Sequence, residues 1–253
     1  MAFDIYVICF LFIIGLFAGL INVLIGLKKS VHKKHLNECD YCDAKYKWYE
    51  LIPVVAYVSM QGECKYCHKK LSIMYSLLEL ANGVFFSLSY IYYGFSYEML
   101  IMLILICLTT IIYVSDFKYY IIPNGVLLFF GLAILALKGI FFGWETLLIS
   151  FISGIVIFFF MFLVKLVGNV LFKREALGDG DIKLSMLFGF AFGIRLAIVS
   201  LIIGSFLAFP VAIYYSLVGK DKEIPFGPYL VTGLFIVFVF MEPIRHFLEI
   251  IFK

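Results

Sequence analysis

The fold is decided by the stretch YEMLIMLILICLTTIIYV, residues 97–114, which runs directly into Ser115 and Asp116. Apart from Glu98 near its start, no charged side chain interrupts it. A helix needs about 20 mostly apolar residues to cross the ~30 Å hydrocarbon layer, so this run predicts a membrane span. The carboxyl group of Asp116 then falls at the edge of the bilayer, where ionisable groups are costly and usually mark a function or a paired structural role.

Comparable apolar runs recur along almost the whole chain of 253 residues. Hydrophobic residues make up 64% of it and charged residues only 15%. In a soluble domain about half of the residues are hydrophobic and about a quarter are charged, so this composition predicts an all-α polytopic membrane protein. We expect about eight transmembrane segments, at residues 3–27, 73–94, 98–115, 121–140, 146–166, 182–194, 196–218 and 227–242.

The first and sixth segments each raise a question. A secretory signal would have a basic region where residues 3–27 begin, but Asp4 stands there and no A-x-A-like site follows, so we expect a retained helix. The sixth segment is short, so it either tilts or re-enters the membrane without crossing it. Its ending, GFAFG at residues 189–193, fits close backbone packing or a turn before Arg195.

The distribution of Lys and Arg predicts the orientation, because cytoplasmic loops carry an excess of both residues. If the loop after the first segment is cytoplasmic, all but four of the 20 basic residues fall on that side. The four on the opposite side are Lys138, Arg195, Arg245 and Lys253. This asymmetry predicts an even number of crossings, with both termini outside the cytoplasm.

Four cysteines stand in the one long polar loop, at about residues 28–72. They form two C-x-x-C pairs, Cys39 with Cys42 and Cys64 with Cys67. Each pair can hold one face of a tetrahedral Zn²⁺ through bonds of about 2.3 Å, so we expect a cytoplasmic zinc-binding loop. Four thiolates leave no position for water, which makes this zinc architectural. Unligated or redox thiols are the alternative, since a reducing cytosol disfavours disulfides. His68 is a conceivable ligand, although its place beside Cys67 favours an exposed histidine.

A second aspartate of interest closes the segment Gly178-Asp179-Gly180-Asp181. By the predicted topology, Asp116 and Asp181 both lie at the cytoplasmic edge of the membrane. If they are brought close together, both cannot easily ionise, so one keeps a proton. The ionised one can then draw a proton from water while the other polarises a peptide carbonyl, which is the chemistry of an aspartic protease. The two glycines would let an extended substrate approach Asp181 closely.

Each aspartate also has an alternative interpretation. Asp116 could be an interfacial carboxylate near Lys118, and GDGD a flexible turn in which Asp181 caps a helix. Asp179 and Asp181 could form a cation site, although two carboxylates alone are a weak signal. A transporter with cation-binding aspartates is the corresponding functional alternative, but the short sixth segment has no clear partner of the kind such proteins show.

Five motifs follow one another along nearly the whole chain. They are Gly15-Leu-Phe-Ala-Gly19-Leu-Ile-Asn22-Val; the paired C-x-x-C loop with Leu51-Ile52-Pro53 inside it; Asp116 with Ile122-Pro123-Asn124; Gly178-Asp179-Gly180-Asp181-Ile-Lys183; and Ile224-Pro225-Phe226-Gly227-Pro228. In this order they resemble the type IV prepilin leader peptidases, bacterial membrane proteases of the GxGD aspartyl class. No single motif is decisive, but five in register are highly specific. The resemblance implies that Asp116 and Asp181 are catalytic.

The resemblance also implies a second activity. That family cleaves a short basic leader after a glycine, then N-methylates the new terminal residue with S-adenosylmethionine. It implies an N-methyltransferase region at residues 1–95 and a six-segment aspartyl protease domain at residues 96–253. No glycine-rich cofactor motif locates the methyl-donor site, for which Asn22 and Glu79 are the candidates. A related membrane peptidase without methyltransferase activity remains the alternative.

The resemblance implies prepilins or pseudopilins as partners, within the lipid bilayer of the bacterial cytoplasmic membrane, and no nucleic acid. A prepilin has a basic leader in the cytosol and an apolar helix in the membrane, so its scissile bond lies at the depth predicted for both aspartates. Glu175 and Asp179 either attract that leader or form a solvated acidic loop. Movement of residues 173–181 would admit the substrate. Pili, secretion and DNA uptake all remain open as the pathway served.

Overall fold

The computed structural model describes residues 2–27, 42, 44–45, 47, 54–173, 175, 177–217 and 224–251. The regular elements within these ranges are all helices, as the composition predicts. In chain order they are α1 (Ala2–Leu27), α2 (Val55–Ser59), α3 (Ile73–Tyr93), α4 (Tyr97–Tyr119), α5 (Asn124–Phe172), α6 (Asp179–Leu217), α7 (Gly227–Val239) and α8 (Met241–Ile251). The chain divides into two compact units, Met1–Tyr119 and Tyr120–Lys253.

In the first unit, α1 packs against α3 at its glycines. A β-carbon at Gly15 would lie 2.7 Å from the carbonyl oxygen of Asn82, and one at Gly19 would lie 2.8 Å from Cα of Glu79. Only glycine lets the two helix backbones come this close. Such close packing is a main source of helix association in lipid, where the hydrophobic effect does not draw helices together.

Buried polar side chains join the three long helices of the same unit. Asn22 of α1 donates a hydrogen bond to Oδ1 of Asn82 at 3.3 Å. Asn82 of α3 in turn donates to the hydroxyl of Thr110 of α4 at 2.7 Å. All three residues are buried. An unpaired polar group in hydrocarbon costs several kcal/mol, so this chain of hydrogen bonds favours one arrangement of α1, α3 and α4.

In the second unit, α5 folds back on itself. A β-carbon at Gly131 would lie 3.4 Å from the ring of Phe190, and Gly154 abuts the same ring. In a straight helix these two glycines would be ~35 Å apart, too far for both to meet one ring. The reversal occurs at Gly143, whose φ of 83° and ψ of 179° break the helix and favour glycine. The two arms of α5 therefore lie side by side.

The helix α6 connects both arms of α5 to α7 and has its own break at Gly193, with φ 74° and ψ 177°. Before the break, it crosses α5 where a β-carbon at Gly189 would lie 2.5 Å from Cα of Gly154. After the break, it packs on α7, where a β-carbon at Gly233 would lie 2.6 Å from the backbone nitrogen of Gly204. The turn predicted before Arg195 thus coincides with a real interruption of the helix.

Four helices in the described ranges are long and apolar enough to cross a membrane, and α3 is not among them. They are Asp4–Leu27, Tyr97–Tyr119, Asn124–Leu171 and Asp179–Tyr215. This confirms a helical membrane protein, but it does not establish eight crossings. The last two are longer than the about 20 residues that one crossing needs, and each contains one of the two glycine breaks.

The last predicted segment, residues 227–242, extends too far. The structure ends α7 at Val239, turns at Phe240 and begins α8 at Met241. In α8, acidic and basic residues recur among the apolar ones, and none of its residues is buried. An average over the apolar stretch conceals this change from an apolar helix to an amphipathic one.

Candidate active site and metal centre

Asp116 lies in the last turn of α4, with only 5% of its surface exposed. That turn is held in place by Tyr119, whose hydroxyl donates to the carbonyl oxygen of Leu27 at the end of α1, at 3.1 Å. Nearby, the ammonium of Lys118 lies 5.8 Å from the ring centroid of Tyr75, within the range of a cation–π interaction. A buried carboxylate at the end of a membrane helix is costly, which favours a functional or paired role over that of an ordinary surface group.

Asp181 lies in the first turn of α6 and is 9% exposed. Its side chain turns back toward Gly178, where a β-carbon would lie 3.1 Å from Oδ2 of the aspartate. The helix begins at Asp179, and the backbone N–H of Ile182 donates to the carbonyl oxygen of Gly178. Asp181 is therefore inside the helix and is not the residue that caps it.

Asp179 has a different environment from Asp181. Its side chain is 74% exposed, and one of its oxygens lies 2.6 Å from Nζ of Lys165. The same ammonium lies 2.9 Å from Oε1 of Glu175. Glu175 and Asp179 are thus exposed but share a cation from α5, so they are not a merely solvated acidic loop. Because Asp179 already has this cation, a cation site shared with Asp181 is disfavoured.

Two of the sequence motifs meet within the second unit. Ile122 is buried, and its Cβ lies 3.0 Å from the position of a β-carbon on Gly180. At the same place, Nζ of Lys183 donates to Oδ1 of Asn124 at 3.0 Å. The residues that follow Asp116 by six to eight positions therefore contact the residues on either side of Asp181.

We expect Gly180→Ala to destabilise this contact. The added methyl group would overpack against Cβ of Ile122, which has no freedom to rotate away, and overpacking costs about 1–3 kcal/mol. The higher helix propensity of alanine offsets at most about 1 kcal/mol. A lower midpoint in thermal unfolding, followed in detergent, would support the contact. The matched control is Gly125→Ala, where a β-carbon meets nothing within 4 Å. Equal unfolding midpoints for the two variants would contradict the contact between Gly180 and Ile122.

The cysteine loop closes around a tight turn. The N–H of Cys64 donates to the carbonyl oxygen of Lys69 at 2.9 Å, and the N–H of His68 donates to the carbonyl oxygen of Cys64 at 2.8 Å. An antiparallel bridge joins Glu63 to Lys70 outside this turn. The turn places the thiols of the second C-x-x-C pair on a fixed backbone, which is the local structure that metal-binding knuckles need.

Three thiols converge at this turn. The sulfur atoms of Cys42, Cys64 and Cys67 all lie within 4.8 Å of one another, and those of Cys42 and Cys64 are 3.9 Å apart. Sulfurs around a tetrahedral Zn²⁺ are about 3.8 Å apart, so the donor set fits zinc. His68 does not belong to this group, which was found among the described residues. Cys39 and residues 51–53 lie outside them.

Asn22 and Glu79, the candidates for the methyl-donor site, are both buried at the interface of α1 and α3. Each has a hydrogen-bond partner, since Asn22 donates to Asn82 and Oε2 of Glu79 accepts the backbone N–H of Val54 at 2.9 Å. Val54 has φ 60°, which is unusual for a β-branched residue. Glu79 therefore holds the part of the loop between the two cysteine pairs against α3.

Two residues beside these sites have no assigned role in the sequence-based predictions. In those predictions Lys165 counts only as one of the basic residues on the cytoplasmic side, and Asn82 has no part. Both are polar side chains inside apolar helices, which is itself a signal that a partner exists. The partner of Lys165 cannot be read from the sequence, because the end of α5 and a loop separate it from Glu175 and Asp179.

Two family models match the chain. The model of the bacterial peptidase A24 N-terminal domain matches residues 10–93. The model of the type IV leader peptidase family matches residues 102–213. The second match contains both Asp116 and Asp181, and the first contains all four loop cysteines.

Curated relatives match over most of the chain. A prepilin leader peptidase/N-methyltransferase of Bacillus subtilis is 28% identical, over 94% of this chain and 96% of its own. Proteins with the same name from Vibrio cholerae and Neisseria gonorrhoeae are each 30% identical over 79% of this chain, and over 79% and 69% of their own lengths. No solved structure matches.

Proposed function

The chain belongs to the type IV leader peptidase family, and from that premise we propose that it cleaves the basic leader from prepilins or prepilin-like proteins and N-methylates the new N-terminus. The relatives in three bacteria carry both activities in their names. This chain matches both an N-terminal and a peptidase family model, which supports the proposal of both activities.

The proposed catalytic groups are Asp116 and Asp181. The observation that carries this assignment is that both are buried carboxylates at the ends of apolar helices. In addition, Ile122, which follows Asp116 in the sequence, packs against Gly180, which precedes Asp181. Asp179 is the less suitable partner, because it is exposed and ion-paired with Lys165.

In the proposed reaction, one aspartate is ionised and the other protonated. The ionised carboxylate takes a proton from a water molecule, and the oxygen of that water forms a bond to the scissile carbonyl carbon. The protonated aspartate donates its proton to the carbonyl oxygen, giving a tetrahedral intermediate. When the C–N bond breaks, the first aspartate gives the proton it took from water to the departing amine, and one hydroxyl of the intermediate returns its proton to the second aspartate as the new carboxyl group forms. The two carboxyls again hold one proton between them, and no metal takes part.

We propose that the chain crosses the membrane eight times, with both termini outside the cytoplasm and the cysteine loop inside. The excess of Lys and Arg on one side supports the orientation. The breaks at Gly143 and Gly193 support two crossings each for α5 and α6. In this topology both aspartates lie at the cytoplasmic face, where the leader of a prepilin joins its membrane helix.

For methylation, we propose that S-adenosylmethionine binds to the region formed by residues 1–95, with residues 96–253 forming the protease. When bound, this cofactor supplies the methyl group. Asn22 and Glu79 remain the candidates near its site. Their existing bonds to Asn82 and Val54 support a role in shaping the region where α1, α3 and the cysteine loop meet.

We further propose one structural zinc per chain, held by Cys39, Cys42, Cys64 and Cys67. The spacing of the three described sulfurs supports it. With four thiolates the metal has no open position, so it would stabilise the loop and take no part in bond cleavage.

One assay tests the proposed function. Purified protein in detergent is incubated with a model prepilin, and the mass and N-terminal residue of the product are measured with and without S-adenosylmethionine. We expect cleavage after the leader glycine in both cases, and the added mass of one methyl group only with the cofactor. An intact substrate with folded protein would contradict the protease assignment, whereas cleavage without methylation would favour the peptidase that lacks the second activity.

A further inference from the structure

We propose that Lys165 is a positioning residue for the protease, which acts by clamping the first turn of α6, where Asp181 lies, onto α5. This inference rests on the proposed function, because it concerns how that site is held ready for reaction. Lys165 does not touch the substrate in this proposal, and it acts through Glu175 and Asp179.

The clamp is formed by one ammonium and two carboxylates. Nζ of Lys165 lies 2.6 Å from Oδ1 of Asp179 and 2.9 Å from Oε1 of Glu175. Both distances are those of charge-assisted hydrogen bonds, which are about twice as strong as neutral ones. Because one nitrogen joins both oxygens, the two carboxylates are held as neighbours.

Burial makes the lysine the fixed part of the clamp. The side chain of Lys165 is only 11% exposed, whereas those of Glu175 and Asp179 are each 74% exposed. Lys165 belongs to the second arm of α5, which is packed against α6 at Gly154. The two exposed carboxylates belong to the loop and to the start of α6. The cation therefore ties two exposed carboxylates to a packed helix.

The clamp acts next to the proposed catalytic group. Asp179 begins α6, and Asp181 lies two residues later in the same turn. Two contacts hold the first turn of α6: Asp179 pairs with Lys165 of α5, and Gly180 packs against Ile122. Without Lys165, Glu175 and Asp179 would be two neighbouring anions that repel each other, so the turn would move outward.

A competing role follows from the same geometry. The two carboxylates could be the binding site for the basic leader, with Lys165 occupying it until a substrate arrives. In that case Lys165 would inhibit binding, and its removal would lower KM. A positioning role affects kcat instead, because displacing a catalytic group by about 1 Å can cost about a hundredfold in rate.

The test compares Lys165→Met with Lys165→Arg and with Lys138→Met, which replaces the other lysine of α5. We expect Lys165→Met to lower kcat of leader cleavage between about tenfold and a hundredfold, with KM changed less than about threefold. Lys165→Arg should recover most of the rate, since a guanidinium can pair with both carboxylates. Lys138→Met should behave as wild type.

A second measurement does not depend on cleavage of the substrate. Lys173 is exposed at the end of α5, so trypsin cutting after it reports how firmly the following loop is held. We expect this cut to be faster in Lys165→Met than in wild type, and unchanged in Lys138→Met. If the wild-type protein does not cleave a prepilin, the proposed function fails, but the trypsin comparison still decides whether the clamp exists.

Two results would overturn the clamp. One is an unchanged kcat together with a lower KM in Lys165→Met, which would make Lys165 a competitor of the leader. The other is an unchanged rate of tryptic cleavage after Lys173. Double variants add a check, because Asp179→Asn should cost little when Lys165→Met is already present, as expected for residues that act together.

Discussion

Replacing either Asp116 or Asp181 with asparagine is expected to lower kcat of leader cleavage by a factor of about 10³ or more. Asparagine has nearly the same shape as aspartate, but its amide can neither take a proton from water nor give one to a carbonyl oxygen. Both side chains are buried, and the similar shape of asparagine preserves the packing while removing the proposed acid–base function. If the two groups form the proposed dyad, the double variant should be little worse than either single variant, because the effects of groups that act as one unit are not additive.

Three controls separate loss of chemistry from loss of fold. Glu98→Gln, at the opposite end of α4, and Glu145→Gln, an exposed carboxylate of α5, should keep nearly full activity. The aspartate variants should also methylate a pilin whose leader has already been removed. Cleavage at the wild-type rate by either aspartate variant would contradict the proposed dyad. Loss of both cleavage and methylation would indicate misfolding.

Much of the architecture could be predicted because it depends on apolar length. Residues 97–114 predict α4 correctly, and the gaps between predicted segments near residues 143 and 195 fall at or beside the observed breaks at Gly143 and Gly193. Hydropathy shows that an apolar stretch is too long for one crossing. It does not show that both arms of α5 would meet the ring of Phe190, since that contact depends on the shape of side chains far apart in the chain.

The residue types at the site could be predicted better than their partners. Asp181 is buried whereas Asp179 is exposed. This is the expected order, because Asp179 lies two residues further from the apolar run that begins at Ile182. The partner of Asp179 is Lys165, fourteen positions away across a helix end, and no periodicity connects them. The sequence predicts that the two glycines of GDGD leave space for a substrate, and the structure adds an internal reason, since Ile122 packs against Gly180.

Cys64→Ser is expected to remove the zinc from the purified protein. A serine hydroxyl is a much poorer zinc ligand than a thiolate, and structural zinc contributes about 10–16 kcal/mol of apparent folding free energy in small zinc domains. Cys64 is fully buried, and its backbone also closes the turn through Lys69 and His68. The variant should contain less than about a tenth of the wild-type zinc by elemental analysis, and trypsin should cut faster at Lys65 and Lys69.

Cys107→Ser is the matched control, because Cys107 lies in α4 and away from the loop. It should keep one zinc per chain. If elemental analysis finds no zinc in wild-type protein purified under reducing conditions, the metal site is contradicted altogether.

Cys39→Ser then decides the fourth ligand. If Cys39 completes the shell, this variant should lose zinc as Cys64→Ser does. If it keeps the metal, then three thiolates bind it and the fourth position is open to water or another donor. An open position is what distinguishes catalytic zinc sites from structural ones, so that result would give the loop a chemical role in addition to an architectural one. Because Cys42, Cys64 and Cys67 already converge in the structure, the role of the metal depends on this one further cysteine.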